Sequence, residues 1–290
     1  MTEPESRRIA PELTVVVPTF NERDNVTDLI SRLEAGLAGC AWEVVFVDDD
    51  SPDRTAELVR EIAARDHRVR GIQRIGRRGL SSACIEGMLS SSAPYLAVID
   101  GDLQHDETLL PRMLDELQTA DIDIVVGSRY LAGGGVGNWE SSRAAISRMA
   151  PRLSRVVVRQ ELTAPLSGFF MIRGEAFRGC VRELSGVGFK IMLDLFASSP
   201  RPLRFVELPY DFRRRDAGVS KLDNQAAWEY GMLLIDKLVG HLVPVRFVAF
   251  TLVGSLGVVV HLATQALLFE GLKLGFVPSQ ALATLTAMSF

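Results

Sequence analysis

Acidic and amide side chains stand at the ends of several apolar runs in this sequence. One run closes on Asp100 and Asp102, with Gln104 two positions later. An earlier run closes on a pair of acids that begins at Asp48, and the first run leads into a segment that contains Glu22. Carboxylate and amide oxygens bind hard cations, and Mg²⁺ takes one or two protein carboxylates together with substrate phosphates. The pattern favours a divalent-cation site, although acids also cap helices and fill turns.

Other phosphate-binding and metal-binding motifs are missing from the sequence. A dinucleotide fold needs G-x-G-x-x-G directly after the first strand, where this chain reads PTFNE, and neither a Walker lysine motif nor H-E-x-x-H occurs. Cys40, Cys84 and Cys180 form no C-x-x-C pair, which argues against zinc and a disulfide framework and fits a reducing compartment. A net charge of -4 gives no reason to expect a nucleic-acid partner.

The elements that would position these acids alternate from Leu13 onward between short β-rich runs and helical patterns. Continuously apolar strands separated by helices predict an α/β fold, a mostly parallel sheet with helices on both faces. Such sheets bind ligands at the carboxyl ends of their strands, so acids from different runs should meet there. Ser51 and Pro52 predict the N-cap and first residue of a helix, and His105 and Asp106 are expected to start another. In the later half, two strands are predicted around helices over Arg173–Leu184 and Gly188–Ser198.

The C-terminal part of the sequence differs in composition. Phe247–Phe269 carries no formal charge, and as a helix it would reach about 34 Å, enough to cross a hydrocarbon core. A buried core helix is the alternative. Arg246 precedes this stretch and places the preceding chain on the cytoplasmic side. A second uncharged stretch runs from Leu274 to the last residue, so we expect further membrane helices beyond it, and the polar N-terminus predicts no signal peptide.

Five segments in order carry a resemblance to a known family. They read VVVPTFNERDNV, VVFVDDDSPDRTAE, GRRGLSSACIEGM, VIDGDLQHDE and GSRY. Together they resemble the nucleotide-sugar domain of family 2 inverting glycosyltransferases, which implies a GT-A-type sheet. Within that family they resemble the dolichyl-phosphate mannose synthases and polyprenyl-phosphate glycosyltransferases. The apolar C-terminus is similar to the start of a GtrA-like membrane domain.

The sequence pattern and the resemblance together predict four parts of the chain. These are a flexible N-terminus over 1–11, a glycosyltransferase domain over 12–225, an amphipathic interfacial helix over 226–244 and a transmembrane region over 245–290. An ordinary core-packed helix is the alternative for 226–244.

The same resemblance implies the roles of individual residues. A nucleotide pocket is expected to be lined by Pro18, Phe20, Glu22, Asp48 and Asp49. The Mg²⁺ or Mn²⁺ that bridges the donor diphosphate is expected on Asp100, Asp102 and Gln104. Phosphate contacts are expected from Ser128, Arg129, Arg215 and Lys221, Ser220 is expected among the nucleotide-binding residues, and the catalytic set is expected to be Asp102, Arg129, Arg215 and Lys221. Arg213 is expected at the surface or on lipid headgroups. Two departures from the family pattern, Ala164 for an acid and Phe170 for an arginine, affect the sugar or acceptor side.

These features predict a metal-dependent, inverting hexosyltransferase attached to a membrane. The expected donor is GDP-mannose, with UDP-glucose as the alternative, and the expected acceptor is a polyprenyl phosphate at the cytoplasmic face. A lipid phosphate is already ionised, so it needs cations that place it rather than a general base. A polysaccharide acceptor is a rival, although no Q-x-x-R-W motif occurs. A sugar-phosphate nucleotidyltransferase and a non-catalytic nucleotide-binding adaptor are the other rivals.

Overall fold

The computed structural model of the chain describes residues 10–131, 160–186, 191–213 and 245–289. The chain divides into two compact units, Met1–Leu233 and Leu234–Phe290, and each is described by itself.

The first unit is built on one sheet, with seven strands among the described residues. The strands are β1 Leu13–Thr19, β2 Trp42–Asp48, β3 Val69–Gln73, β4 Tyr95–Val98, β5 Ile124–Ser128, β6 Phe170–Arg173 and β7 Phe205–Pro209. Their order across the sheet is β3-β2-β1-β4-β6-β5-β7. Only β6 runs antiparallel to its neighbours within this described sheet, so the other strands share one direction. The mostly parallel sheet predicted from the sequence is confirmed. The antiparallel direction of β6 is a feature that the sequence did not predict.

Helices cover both faces of this sheet, as predicted. They are α1 Arg23–Gly36, α2 Thr55–Ala63, α3 Leu80–Leu89, α4 Leu110–Thr119, α5 Gly174–Cys180 and α6 Ile191–Ser198. On one face, Leu33 of α1 and Leu117 of α4 join Val15 in a buried apolar core. On the other face, Gly87 of α3 lies so close to Val16 that an added Cβ would stand 2.4 Å from a valine methyl. A side chain at Gly87 would push α3 off the sheet.

Helix α2 begins at Thr55, so the predicted start at Ser51 and Pro52 is wrong. The Ser51 hydroxyl donates to Asp48 instead of capping a helix. The carboxylate of Asp53 accepts from the Thr55 backbone N–H at 3.0 Å and from its hydroxyl at 2.6 Å. This local turn competes with the helix and delays its first residue.

The predicted helix over Arg173–Leu184 is shorter in the structure. Arg173 is the last residue of β6, α5 ends at Cys180, and a 3₁₀ turn follows over Val181–Glu183. The Arg173 guanidinium donates to the backbone carbonyl of Ile122 at 2.6 Å, which ties this residue to the sheet rather than to the helix.

The second unit contains α7 Val245–Ala266, a π-helical turn over Leu267–Gly271 and α8 Phe276–Ser289. The segment Val253–Gly271 is long enough and apolar enough to cross a membrane. Large apolar side chains of α7 such as Phe250 and Leu262 lie exposed.

Candidate active site

Strands that share one direction place their carboxyl ends at one edge of the sheet. Thr19 at the end of β1 lies opposite Asp48 at the end of β2. Val98 at the end of β4 lies opposite Phe170, the first residue of the reversed strand β6. The acid-rich segments after β1, β2 and β4 therefore meet at one edge, together with the loop that enters β6. We call this the acidic edge.

Left-handed backbone concentrates at the acidic edge. Asn21, Asp50, Arg54 and Leu103 have φ angles of 59°, 58°, 67° and 61°. All four lie in the loops that follow β1, β2 and β4. Non-glycine residues rarely adopt this region, and such strain clusters at functional sites where the surroundings hold it. The backbone thus marks the same edge as the acids do.

Asp48 at the end of β2 is bonded inside the protein. Its carboxylate accepts from the hydroxyl of Thr19 at 3.1 Å and from the backbone N–H of Ser51 at 2.9 Å. The side chain is buried. These bonds join the loop after β2 to the end of β1.

Asp49 forms a buried ion pair with Arg74. Arg74 donates to one carboxylate oxygen of Asp49 at 2.8 Å, and the backbone N–H of Gly79 donates to the other at 2.7 Å. Arg74 is fully buried and also donates to Ser82 at 2.6 Å. Burial raises the pKa of Asp49, against the opposing effect of the Gly79 amide and the Arg74 charge. The pair fixes the loop that opens α3.

The end of β1 carries the other residues expected around the nucleotide. Pro18 is buried, and Phe20 is half-buried with the guanidinium of Arg78 lying 4.6 Å from its ring centroid. Glu22 accepts from the Asn25 side chain at 2.8 Å. A ring that stacks with a cation offers the kind of surface on which a planar base can lie. Arg78 is a residue that the sequence reasoning did not single out.

The end of β4 carries the residues expected to hold a cation. The Asp100 side chain is 35% exposed, whereas Asp102 is buried. Asp102 accepts from the backbone N–H of Gln104 at 3.2 Å, across the left-handed Leu103. The side-chain amide of Gln104 donates to the backbone carbonyl of Arg213 at 3.1 Å. The loop is therefore held from within and by a segment distant in sequence.

His105 does not start the next helix, so that expectation is wrong. Its side chain is buried, with Nε2 lying 3.0 Å from Asp100 Oδ2 and Nδ1 lying 2.7 Å from the Tyr210 hydroxyl. Asp106 behaves as expected, because its carboxylate accepts from the backbone N–H of Thr108 and caps a 3₁₀ turn. Tyr210 is distant in sequence, so no local pattern links it to the acids.

Aromatic rings form a floor beneath Asp100. The imidazole of His105 lies 5.2 Å from the ring of Phe169, 5.6 Å from Tyr210 and 5.4 Å from Phe212, measured between centroids. Phe169 and Tyr210 meet edge to face at 5.4 Å. We call these four rings the aromatic floor. They come from the loops after β4 and β7 and from the segment that enters β6.

Arg129 stacks on the aromatic floor. Its guanidinium carbon lies 4.8 Å from the ring centroid of Phe212 and 5.3 Å from that of Tyr130. The preceding Ser128 is fully buried and shares a 2.7 Å hydrogen bond with the Thr163 hydroxyl. Because Ser128 is fully buried, its hydroxyl does not face solvent, where a phosphate would approach. Arg129 is better placed than Ser128 to meet an anion.

Arg213 is ion-paired, and its side chain is 35% exposed. Its guanidinium donates to Glu107 at 2.6 Å and to Asp106 at 2.9 Å, and its backbone N–H donates to the Gln104 carbonyl at 2.8 Å. The first arginine of the RRR cluster thus fastens the segment after β7 to the loop after β4.

Several expected residues lie outside the described residues, namely Arg215, Ser220 and Lys221. The interfacial helix predicted over 226–244 also lies outside them. The two departures from the family pattern are visible: Ala164 is buried, and Phe170 is buried in β6 between β4 and β5. Phe170 contributes apolar volume to the sheet rather than a charge to the site.

The residues present suit a hard cation that is shared with a substrate. Within the described residues, no three histidine, cysteine or acidic side chains gather as a complete protein cage. Mg²⁺ usually binds through one or two protein carboxylates, and substrate phosphates and water complete its ligands. Asp100 and Asp102 could supply the two carboxylates. The donor chemistry therefore fits a cation that binds together with a diphosphate.

The sheet and its acidic edge define the class of protein, an α/β glycosyltransferase of the GT-A type. The model for Glycosyl transferase family 2 matches residues 14–180, and the chain belongs to that family. The dolichol-phosphate mannosyltransferase of Pyrococcus furiosus is 37% identical over 86% of this chain and 70% of its own length. The enzyme of the same name from Saccharomyces cerevisiae is 34% identical over 76% of this chain and 84% of its own length.

Solved structures support the fold assignment. Glucosyl-3-phosphoglycerate synthase from Mycobacterium tuberculosis, in complex with Mn²⁺, UDP-glucose and phosphoglyceric acid, superposes with a TM-score of 0.55 at 20% identity. The match covers 79% of this chain and 79% of that one. The same enzyme in complex with Mg²⁺ and UDP gives a TM-score of 0.52 at 18% identity, over 79% of each chain. The GT-A-type fold expected from the sequence is confirmed.

Proposed function

We propose that this chain transfers a hexose from a nucleotide sugar to a polyprenyl phosphate, with inversion at the anomeric carbon and with a divalent cation. Mannose from GDP-mannose onto a dolichyl-type lipid is the favoured pair. The observation that carries the proposal is the meeting of Asp100, Asp102 and Arg129 at the acidic edge of a family 2 fold. The relatives named dolichol-phosphate mannosyltransferase, which align over most of the chain, support the acceptor class.

Asp100, Asp102 and Gln104 would hold the Mg²⁺ or Mn²⁺. When bound, the cation would stabilise the charge that develops on the leaving diphosphate. The loop around Leu103 is rigidly held, because Asp102 accepts from the Gln104 N–H and Gln104 bonds to Arg213. A ligand loop fixed before substrate arrives needs little reorganisation during reaction.

The ends of β1 and β2 would bind the nucleotide. Phe20 with its stacked Arg78 supplies a flat surface, and Pro18, Glu22 and Ser220 belong to the same proposed pocket. Asp48 and Asp49 shape this pocket through their bonds to Ser51 and Gly79. A bound nucleotide would therefore contact loops that these hydrogen bonds have already ordered.

Cations would place the acceptor, because a phosphate attacks as an ion and needs no base to remove a proton. Arg129 lies at the acidic edge, and Arg215 and Lys221 are proposed to complete the phosphate contacts. The planar guanidinium of arginine suits two phosphate oxygens at once. Ser128, buried beneath Arg129, would support that residue and its neighbour.

The C-terminal unit would attach the enzyme to the membrane that contains its lipid acceptor. Support comes from the apolar, exposed surface of Val253–Gly271, a segment long enough to cross a bilayer. We propose a GtrA-like membrane region over 245–290, an interfacial helix over 226–244 and a catalytic domain over 12–225 on the cytoplasmic side.

A transfer assay with the full chain in membranes tests the proposal. Radiolabelled GDP-mannose and UDP-glucose are incubated separately with a short polyprenyl phosphate and Mg²⁺ or Mn²⁺, and the organic phase is counted. We expect cation-dependent label from GDP-mannose, and none when the lipid is omitted. Label from UDP-glucose alone would overturn the choice of mannose, and organic-phase label from neither donor would overturn the acceptor class.

A further inference from the structure

Two hydrogen-bond contacts link Asp100, His105 and Tyr210 into a chain that leads from the acidic edge into the protein. Nε2 of His105 lies 3.0 Å from Asp100 Oδ2, and Nδ1 lies 2.7 Å from the Tyr210 hydroxyl. His105 and Tyr210 are both buried, while the Asp100 side chain is 35% exposed. Two buried groups thus stand behind one exposed carboxylate.

The chemistry of these groups fixes the direction of each hydrogen bond. An ionised carboxylate only accepts, so Nε2 must carry the hydrogen that lies toward Asp100. In a neutral imidazole the other nitrogen then accepts, and the Tyr210 hydroxyl must donate to it. Burial raises the pKa of Tyr210, so this phenol keeps its proton. The tyrosine therefore selects the imidazole tautomer that donates to Asp100.

Packing fixes the imidazole as firmly as the hydrogen bonds do. The rings of Phe169, Tyr210 and Phe212 lie within 5.2 to 5.6 Å of its centroid. The backbone of Gly168 also approaches Asp100 so closely that an added Cβ would lie 3.0 Å from Oδ2. The Asp100 carboxylate is thus contacted by a histidine donor and by a glycine whose lack of a side chain leaves space for it.

We propose that His105 is a positioning residue that fixes the orientation of the Asp100 carboxylate for its cation, and that Tyr210 fixes His105. This inference rests on the proposed function, which assigns Asp100 to the cation. A metal ligand whose supporting partner is removed typically loses about 10–100-fold in metal affinity or activity. His105 has no direct part in the transfer in this scheme.

Matched variants separate the hydrogen bond from the ring. His105→Phe keeps a flat ring in the aromatic floor and removes both nitrogens. His105→Gln places an amide nitrogen near the position of Nε2 and retains a donor toward Asp100. Tyr210→Phe removes one hydroxyl and keeps the ring. Tyr95→Phe, at the opposite end of β4, removes a hydroxyl away from the acidic edge and is the control.

The measurement is Mn²⁺ binding to the full chain with GDP present, followed by electron paramagnetic resonance, with thermal unfolding as a check on folding. We expect binding weakened about 10–100-fold in His105→Phe and less than about threefold in His105→Gln. Tyr210→Phe should fall between them, and Tyr95→Phe should match the unmodified chain. Raising Mn²⁺ should restore much of the transfer rate of His105→Phe, which a defect confined to folding would not allow.

Equal Mn²⁺ affinity in folded His105→Phe and His105→Gln would overturn the inference. If His105→Phe does not fold, equal affinity in Tyr210→Phe and Tyr95→Phe overturns it instead. Absence of Mn²⁺ binding in the unmodified chain would be a different failure, because it would remove the cation from the proposed function itself.

Discussion

Two pairs of acids lie on either side of β1 at the same edge of the sheet, and they are held in different ways. After β2, Asp49 faces the buried cation Arg74, and its side chain is 11% exposed. After β4, Asp100 faces the imidazole of His105, and its side chain is 35% exposed. Asp49 is paired with a buried arginine and helps to order its loop, whereas Asp100 is hydrogen-bonded to an imidazole and keeps part of its carboxylate exposed. Similar residues at similar places are thus held differently, and only the second pair is proposed to bind a cation.

The largest effect should come from Asp102, on the side of β1 assigned to chemistry. Asp102→Asn keeps the shape of the side chain and removes its charge. Loss of several kcal/mol of charge stabilisation should lower the transfer rate about 1,000-fold. The rate is measured in the lipid transfer assay at saturating Mn²⁺.

The thermal midpoint of Asp102→Asn should remain close to that of the unmodified chain. A variant that folds and retains full cation-dependent transfer would contradict the assignment of this pair to the cation.

The next effect should be on stability, in the other pair. Asp49→Asn leaves the buried Arg74 charge with only the part-exposed Glu86, 3.3 Å away, as counter-ion, which should lower the free energy of unfolding by about 2 kcal/mol. Urea unfolding of the full chain measures it. Adding Arg74→Met to Asp49→Asn should recover part of the loss, because an uncharged side chain then fills the space. A loss of activity with unchanged stability would show that Asp49 serves the ligand more than the loop.

A smaller effect should come from the space around Asp100. Gly168→Ala brings a methyl carbon to 3.0 Å from Asp100 Oδ2, closer than ordinary van der Waals contact, so the carboxylate must shift by a few tenths of an ångström. Such misplacement should weaken Mn²⁺ binding about tenfold. Gly179→Ala is the matched control, since its added Cβ meets nothing within 4 Å. Equal Mn²⁺ affinity in the two variants would show that the carboxylate has room to move.

The smallest effect should come from Asp123, an acid at the opposite edge of the sheet. Burial alone would raise its pKa, but hydrogen bonds from Arg204 and Arg201 outweigh burial and lower the pKa below the ordinary 3.8. A lowered pKa stabilises the fold above 3.8, and the contribution is lost as the pH falls below that value. Asp123→Asn should therefore lower the free energy of unfolding by about 1 kcal/mol at neutral pH. The difference in stability between this variant and the unmodified chain should narrow in acid. Urea unfolding from pH 7 to pH 3 measures that difference, and transfer activity should be unaffected.

Sequence periodicity was a good guide to the first five strands and their helices. Most of their strands are nearly continuous apolar runs, and helices α2 and α4 are clearly amphipathic, so local pattern and tertiary fold agree there. The reversed strand β6 was predicted as a strand, but nothing in its four residues encodes its direction. The start of α2 was misplaced because Asp53 bonds to Thr55 and forms a turn that Ser51 and Pro52 do not reveal.

The location of the acidic edge could be predicted from the sequence, but the roles of its individual residues could not. Parallel strands bring their ends together, so the meeting of the loops after β1, β2 and β4 followed from the pattern. The partners of each acid did not follow. His105 bonds to Tyr210 across 105 positions, and Arg74 reaches Asp49 across 25. A side chain's role depends on such distant partners, which spacing along the chain does not contain.

The link between Gln104 and Arg213 has a consequence for how the enzyme is made. Two hydrogen bonds join these residues across 109 positions of sequence. Pairing over such distances closes a large loop and is slow compared with local folding. During synthesis, β1 to β4 can pair before the segments bearing Gly168 and Tyr210 emerge, whereas β5 lies between β6 and β7 and must wait for them. The proposed nucleotide-binding loops after β1 and β2 would thus form before the loop after β4 is fixed by Arg213. The enzyme would gain activity only after nearly the whole first unit has emerged.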